Sequence, residues 1–193
     1  VECDFFYNVG SFDGGALNIF RRNHDLLFLR CNFSHNRGEE GAGVNFYSDN
    51  YQITFDNCDV TDNRASTNGA GMYLYKSNYD IRIVNSRITQ NIALYGGGLY
   101  LYEGNDDLLI ENTEISRNVA SIEDSSSDGG GIFVHTYNDR ITIRQCVIAN
   151  NGATFEGGGI YLNSHNSNLT VEDSIFIANL AKSSGGGVFI FLY

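Results

Sequence analysis

The chain has no proline, few basic residues and no long apolar run. Twelve lysines and arginines stand against 23 acidic residues, for a formal charge of −11 and a pI near 4.6. That balance excludes the Lys/Arg patches that a nucleic-acid backbone or an anionic membrane requires of a partner. No stretch reaches the roughly 18 apolar residues of a membrane-spanning helix, and no targeting segment is visible within the sequence, which starts abruptly at Val1-Glu2-Cys3. No window sustains a 3.6-residue period, so no helix is expected. The four cysteines show neither C-x-x-C nor Cys/His spacing, which argues against a bound metal, and no cofactor is implied. The four histidines, at 24, 35, 135 and 165, fall at four different places in the repeat described next. Acidic pairs such as Glu39-Glu40, Asp106-Asp107 and Glu123-Asp124 do not meet the spacing of a calcium loop.

What is abundant is glycine, and its placement is regular. Eighteen of the 22 glycines lie in seven triplets that begin at Gly14, Gly41, Gly69, Gly96, Gly129, Gly157 and Gly185. Seventeen residues after each of the first six come Cys31, Cys58, Ser86, Thr113, Cys146 and Ser174. Five residues further come Asn36, Asn63, Asn91, Asn118, Asn151 and Asn179, and a partial first copy supplies Cys3 and Asn8. The period is 27–28 residues, interrupted once by a polar insertion within 119–128. Each period holds three short runs of apolar alternation, read as strands. Such units bury a face only by stacking on one another. The expected fold is all-β, a right-handed parallel β-helix of about seven coils with three strands per coil. Residues 1–193 form one such domain, and its apolar last strand, without a polar cap, suggests a block of a longer rod or end-to-end stacking.

Gly-Gly-Ala-Leu at 14–17, with Phe-x-x-Asn at Phe5–Asn8, Phe33–Asn36 and Phe176–Asn179, resembles the paired GGA[ILV] and FxxN repeats of the chlamydial polymorphic outer-membrane proteins. Four copies keep the asparagine but replace the phenylalanine with Val60, Ile88, Ile115 or Ile148. The resemblance implies an extracellular or cell-surface module akin to an autotransporter passenger or adhesin. The membrane barrel of those proteins has no counterpart in this sequence, so anchoring is not carried over.

In a solenoid, equivalent positions stack into columns, and the columns are the units to interpret. The glycines mark a tight corner. A phosphate-cradling role would need a following helix and a lysine, and neither is present. The asparagines at 8, 36, 63, 91, 118, 151 and 179 suit an amide ladder within a turn. The column of Cys, Ser and Thr asks for a small inward residue, with disulfides conceivable between Cys3 and Cys31 or between Cys31 and Cys58. Asp59, Arg87 and Glu114, and likewise Glu111, Arg144 and Glu172, should alternate charge on successive rungs. No cluster of carboxylates with Arg, Lys or His on adjacent coils is evident, which disfavours a polysaccharide lyase or hydrolase. Asn32 and Asn168 head Asn-x-Ser/Thr triplets, acceptors for N-glycans in a secreted eukaryotic protein.

One column set breaks the expected pattern. After each glycine triplet, the first and third strand residues are apolar throughout and face the core. The second and fourth should then face outward, yet they include Phe20, Tyr47, Tyr73, Tyr75, Tyr100, Tyr102, Phe133, Tyr161, Phe189 and Phe191. An outward aromatic stripe is expected to be a contact face. Its partners would be other copies of the rod, other surface proteins or glycans. The sequence therefore points to a structural rod or an adhesive module without catalysis of its own.

Overall fold

The computed structural model describes residues 2–121 and 126–191. Val1, Leu192 and Tyr193, on which the expectation of end-to-end stacking partly rests, lie outside the described residues. So do residues 122–125, the middle of the polar insertion.

The described residues wind into a parallel β-solenoid with four sheets. Sheet 1 begins with Cys3–Phe6 and continues through the strands at Cys31–Ser34, Asp59–Thr61, Arg87–Thr89, Glu114–Ser116, Val147–Ala149 and Ile175–Ile177. Sheet 2 contains the strands that follow the glycines, from Leu17–Arg21 to Val188–Ile190. Sheet 3 runs from His24–Leu29 to Ser167–Glu172. Sheet 4 runs from Arg37–Glu40 to Leu180–Ala181, and several of its strands have only two residues. The three expected strands per coil are present, and this fourth short one follows the asparagine column. Val119–Ala120 belongs to it, so the insertion begins after Ala120 and not at 119.

Register follows the repeat. Cys3 pairs with Cys31, Asp59 with Arg87, Arg87 with Glu114, and Glu111 with Arg144, which in turn pairs with Glu172. The core is apolar. Its aromatic end stacks Phe5 on Phe33 at 4.8 Å and Phe28 on Phe55 at 4.6 Å. Further along it becomes aliphatic, with Ile88, Leu99, Leu101, Ile110 and Ile115 fully buried. Burying such side chains contributes about 1.5–3 kcal/mol each, the main favourable term in the fold.

Three corners are held by side-chain ladders. In the first, the backbone N–H of Asn63 donates to Oδ1 of Asn91 at 3.0 Å, and Nδ2 of Asn63 donates to the same oxygen at 3.0 Å. That Nδ2 also donates to the Phe33 carbonyl of the preceding coil at 2.9 Å. The pattern recurs from Asn8 to Asn179. The second corner repeats it with Asn23, Asn50, Asn78, Asn105, Asn138 and Asn166. The third uses the Cys/Ser/Thr column. Cys31 N–H donates to Cys58 Sγ at 3.4 Å, and Cys58 N–H to Ser86 Oγ at 3.0 Å.

From Tyr7 onward the residue before each ladder position is left-handed, as at Asp62, Asp49 and Asn57. Such a backbone costs an ordinary residue about 1–2 kcal/mol. The ladder bonds offset it.

Cys3–Cys31 and Cys31–Cys58 are not disulfides, because all four cysteines are thiols. The Cys31 and Cys58 sulfurs hydrogen-bond to backbone groups of the corner instead. Burial pushes the Cys58 thiol up to about 11 and raises that of Cys146, which makes both poor nucleophiles.

Candidate functional site

The outer face of sheet 2 carries two aromatic columns, and they differ in what covers them. The first column is not exposed, contrary to the sequence expectation. Tyr73 is 2% exposed, Tyr100 5%, Phe133 5% and Tyr161 8%. The rings of Tyr100, Phe133, Tyr161 and Phe189 stack at 4.7–5.4 Å as a second core outside the sheet. The chain that precedes the glycines roofs them. Gly96 is left-handed, and a Cβ there would lie 2.8 Å from Cβ of Tyr100 and 3.1 Å from its ring. Only glycine lets the backbone pass this close. Tyr95 then packs edge-on against Phe133 at 5.9 Å. Burial raises the phenols of Tyr73 and Tyr100 and pushes Tyr161 up to about 12. These four residues cannot meet a partner. Phe189 is half-buried at the end of the same stack.

The second column does reach solvent. Phe20 is 55% exposed and Phe191 40%, while Tyr47, Tyr75 and Tyr102 are half-buried. Phe20, Tyr47, Tyr75, Tyr102 and His135 form an unbroken ladder with ring centroids 4.8–5.2 Å apart. Arg21 lies over the Phe20 and Tyr47 rings, and Lys76 over Tyr75 and Tyr102, at 5.0–5.6 Å. Lys76 also pairs with Glu103 at 2.9 Å. Burial lowers the His135 imidazole and favours its neutral form in the ladder.

Sheet 3 presents a surface that the sequence reading missed. The second residue of each strand, among them Gln52, Asp80, Asp107 and Arg140, is left-handed. The alternation breaks there, so the first two residues of a strand both face outward. The result is a ring ladder of His24, Tyr51 and Tyr79 beside charged groups. Tyr51 and Tyr79 are 4.9 Å apart with planes 1° from parallel. The next rungs hold Asp106 and Asp139. Arg140 donates to Asp107 at 2.6 Å and also bonds Asp139, and Arg82 donates to Asp80 at 3.2 Å. Carboxylates and arginines are thus gathered on adjacent coils, which corrects the expectation that no such cluster exists. The Arg140 bond holds Asp107 below the usual carboxylate range, whereas burial raises Asp106. Among the described residues no three His, Cys, Asp or Glu side chains converge in a metal-binding arrangement.

The two glycan acceptors differ. Asn32 is half-buried on the outer face of sheet 1, in register with Asp4 and Asp59. Asn168 is exposed on sheet 3, and its Nδ2 donates to Asp139 at 2.7 Å.

Among the described residues no helix is long and apolar enough to cross a membrane. No curated protein and no solved structure matches the chain. A family model described as a right-handed beta helix region matches residues 15–192. With that match and four parallel sheets wound in repeat register, the chain belongs to the right-handed β-helix family.

Proposed function

We propose that the chain is a non-catalytic structural rod, extracellular or at the cell surface, that packs laterally against another copy of itself. The resemblance to surface-protein repeats supports the location. The observation that carries the reading is the solvent-reaching ladder from Phe20 through Tyr102. Its rings are continuous from coil to coil, and Phe20 has no polar tip to keep wet.

The row beside it runs Arg21, Ser48, Lys76, Glu103 and Thr136. It carries both signs. A copy related by a two-fold axis and laid antiparallel brings Arg21 toward Glu103 of the partner subunit, so the surface is complementary to itself.

Light scattering after size exclusion, with electron micrographs, tests this reading. Wild type should show a concentration-dependent dimer or lateral bundle, lost in a Tyr47→Ser, Tyr75→Ser, Tyr102→Ser triple variant of unchanged fold. A wild-type monomer at all concentrations would refute it.

A further inference from the structure

On sheet 3, three irregularities of the repeat fall at one place. The ring ladder stops at Tyr79, since the residue in register on the next coil is Asp106. Tyr79 is 44% exposed, and among the described residues no ring lies on its far face. At the adjoining corner, the column that reads Arg22, Asp49, Ser77, Tyr137 and His165 on other coils has Gly104 on this one. A Cβ at Gly104 would meet nothing nearer than Ser77 Oγ at 3.9 Å, so the corner is open space. On the next coil the same column holds Tyr137, 58% exposed, whose ring lies 5.0 Å from His165 at a tilt of 34°. The coil carrying Gly104 therefore leaves a notch of about 430 Å³ between Tyr79 and Arg140, continuous with a shallow groove of about 650 Å³ along the sheet.

The floor of the notch is polar, and its arginines are already held by carboxylates, which outnumber them. Arg140 bonds Asp107 at 2.6 and 3.0 Å and lies 3.7 Å from Asp106, and Arg82 pairs with Asp80. An anionic ligand would face Asp49, Asp80, Asp106 and Asp107. A cationic one would have to compete with Arg82 and Arg140 for Asp80 and Asp107, which they already hold. An aromatic side chain could stack on Tyr79, but it would strip water from the ion pairs without replacing those hydrogen bonds. A neutral polyol ring meets every requirement. It has an apolar face for Tyr79, and hydroxyls that both donate to carboxylates and accept from guanidinium groups.

We propose that this notch is a binding site for a neutral hexopyranose unit of a glycan, stacked on Tyr79 over Asp106 and hydrogen-bonded by Asp107 and Arg140. The site is separate from the ladder of sheet 2 and independent of self-association. The test is calorimetric titration of the intact chain with neutral hexasaccharides of glucose, mannose and galactose, and with an oligogalacturonate as the acidic control. At least one neutral probe should bind saturably. Tyr79→Ser should weaken that binding at least tenfold. Gly104→Asn, which fills the notch with a residue tolerant of the left-handed backbone, should do the same. Tyr102→Ser should leave binding unchanged, and circular dichroism would verify that each variant is folded. The proposal is overturned if no neutral probe binds, if binding survives both notch substitutions, or if the acidic probe binds more tightly.

Discussion

Tyr100 and Tyr102 stand two residues apart on the same strand and the same side of the same sheet, yet their surroundings have little in common. Tyr100 is 5% exposed within a stacked second core, whereas Tyr102 is half in solvent beneath Lys76. The difference does not come from the residues themselves. It comes from the chain before the glycines, which folds back over the first position and stops short of the second. Strand alternation tells which side of a sheet a residue faces. It does not tell what lies across that side.

The comparison can be broken in several ways. The largest effect belongs to Tyr100→Ser, which should cost about 3–5 kcal/mol, as for other buried aromatics cut to small residues. Tyr102→Ser should cost about 1 kcal/mol, the scale of one aromatic stacking contact. Urea denaturation of the two variants would measure the gap, and equal losses would mean that the roof is not closed.

The next effect separates two left-handed glycines. Gly96→Ala combines an unfavourable backbone with contact against Tyr100, and should cost at least about 2 kcal/mol. Gly104→Ala meets only open space and should cost about 1 kcal/mol, the backbone share alone. Thermal melts of both variants would compare them.

The smallest effect is electrostatic. Asp128 lies in the roof, where burial raises its carboxyl, although the Glu156 N–H donates to it at 2.9 Å. Because its folded value is raised, the folded state holds the proton longer than the unfolded chain does. Stability from this group therefore falls as pH rises from the ordinary carboxylate range through the raised value. Asp128→Asn keeps an acceptor for Glu156 and should be the more stable form at neutral pH, by less than about 1 kcal/mol given its partial exposure. The advantage should vanish in acid. Denaturation of both forms across that range would check the sign.

Much of this architecture was legible in the residues. The fixed offsets from each glycine triplet gave the coil, the register, the first asparagine ladder and the charge-alternating rungs. The second ladder was equally available, because Asn23, Asn50, Asn78, Asn105, Asn138 and Asn166 each lie nine residues after a triplet begins. It is hard to tell from ordinary turn residues, where asparagine is common. The fourth sheet could not be seen, since strands such as Ile92–Ala93 are too short to alternate.

The sites were harder to read. The burial of Tyr73, Tyr100, Phe133 and Tyr161 depends on the path of a segment distant from the strand pattern. The Asp107–Arg140 pair is separated by 33 residues across the insertion, and Tyr79 and Asp106 share its outer face only because left-handed residues break the alternation of sheet 3.

The central claim, that one aromatic column is core and its neighbour is surface, is tested most directly by tyrosine nitration of the native chain with tetranitromethane, at a dilution where light scattering shows the monomer, mapped by peptide mass spectrometry. Tyr47, Tyr75 and Tyr102 should be modified while Tyr73 and Tyr100 remain protected until the chain is unfolded. Nitration of Tyr73 and Tyr100 in the native state at the rate of Tyr75 and Tyr102 would contradict it.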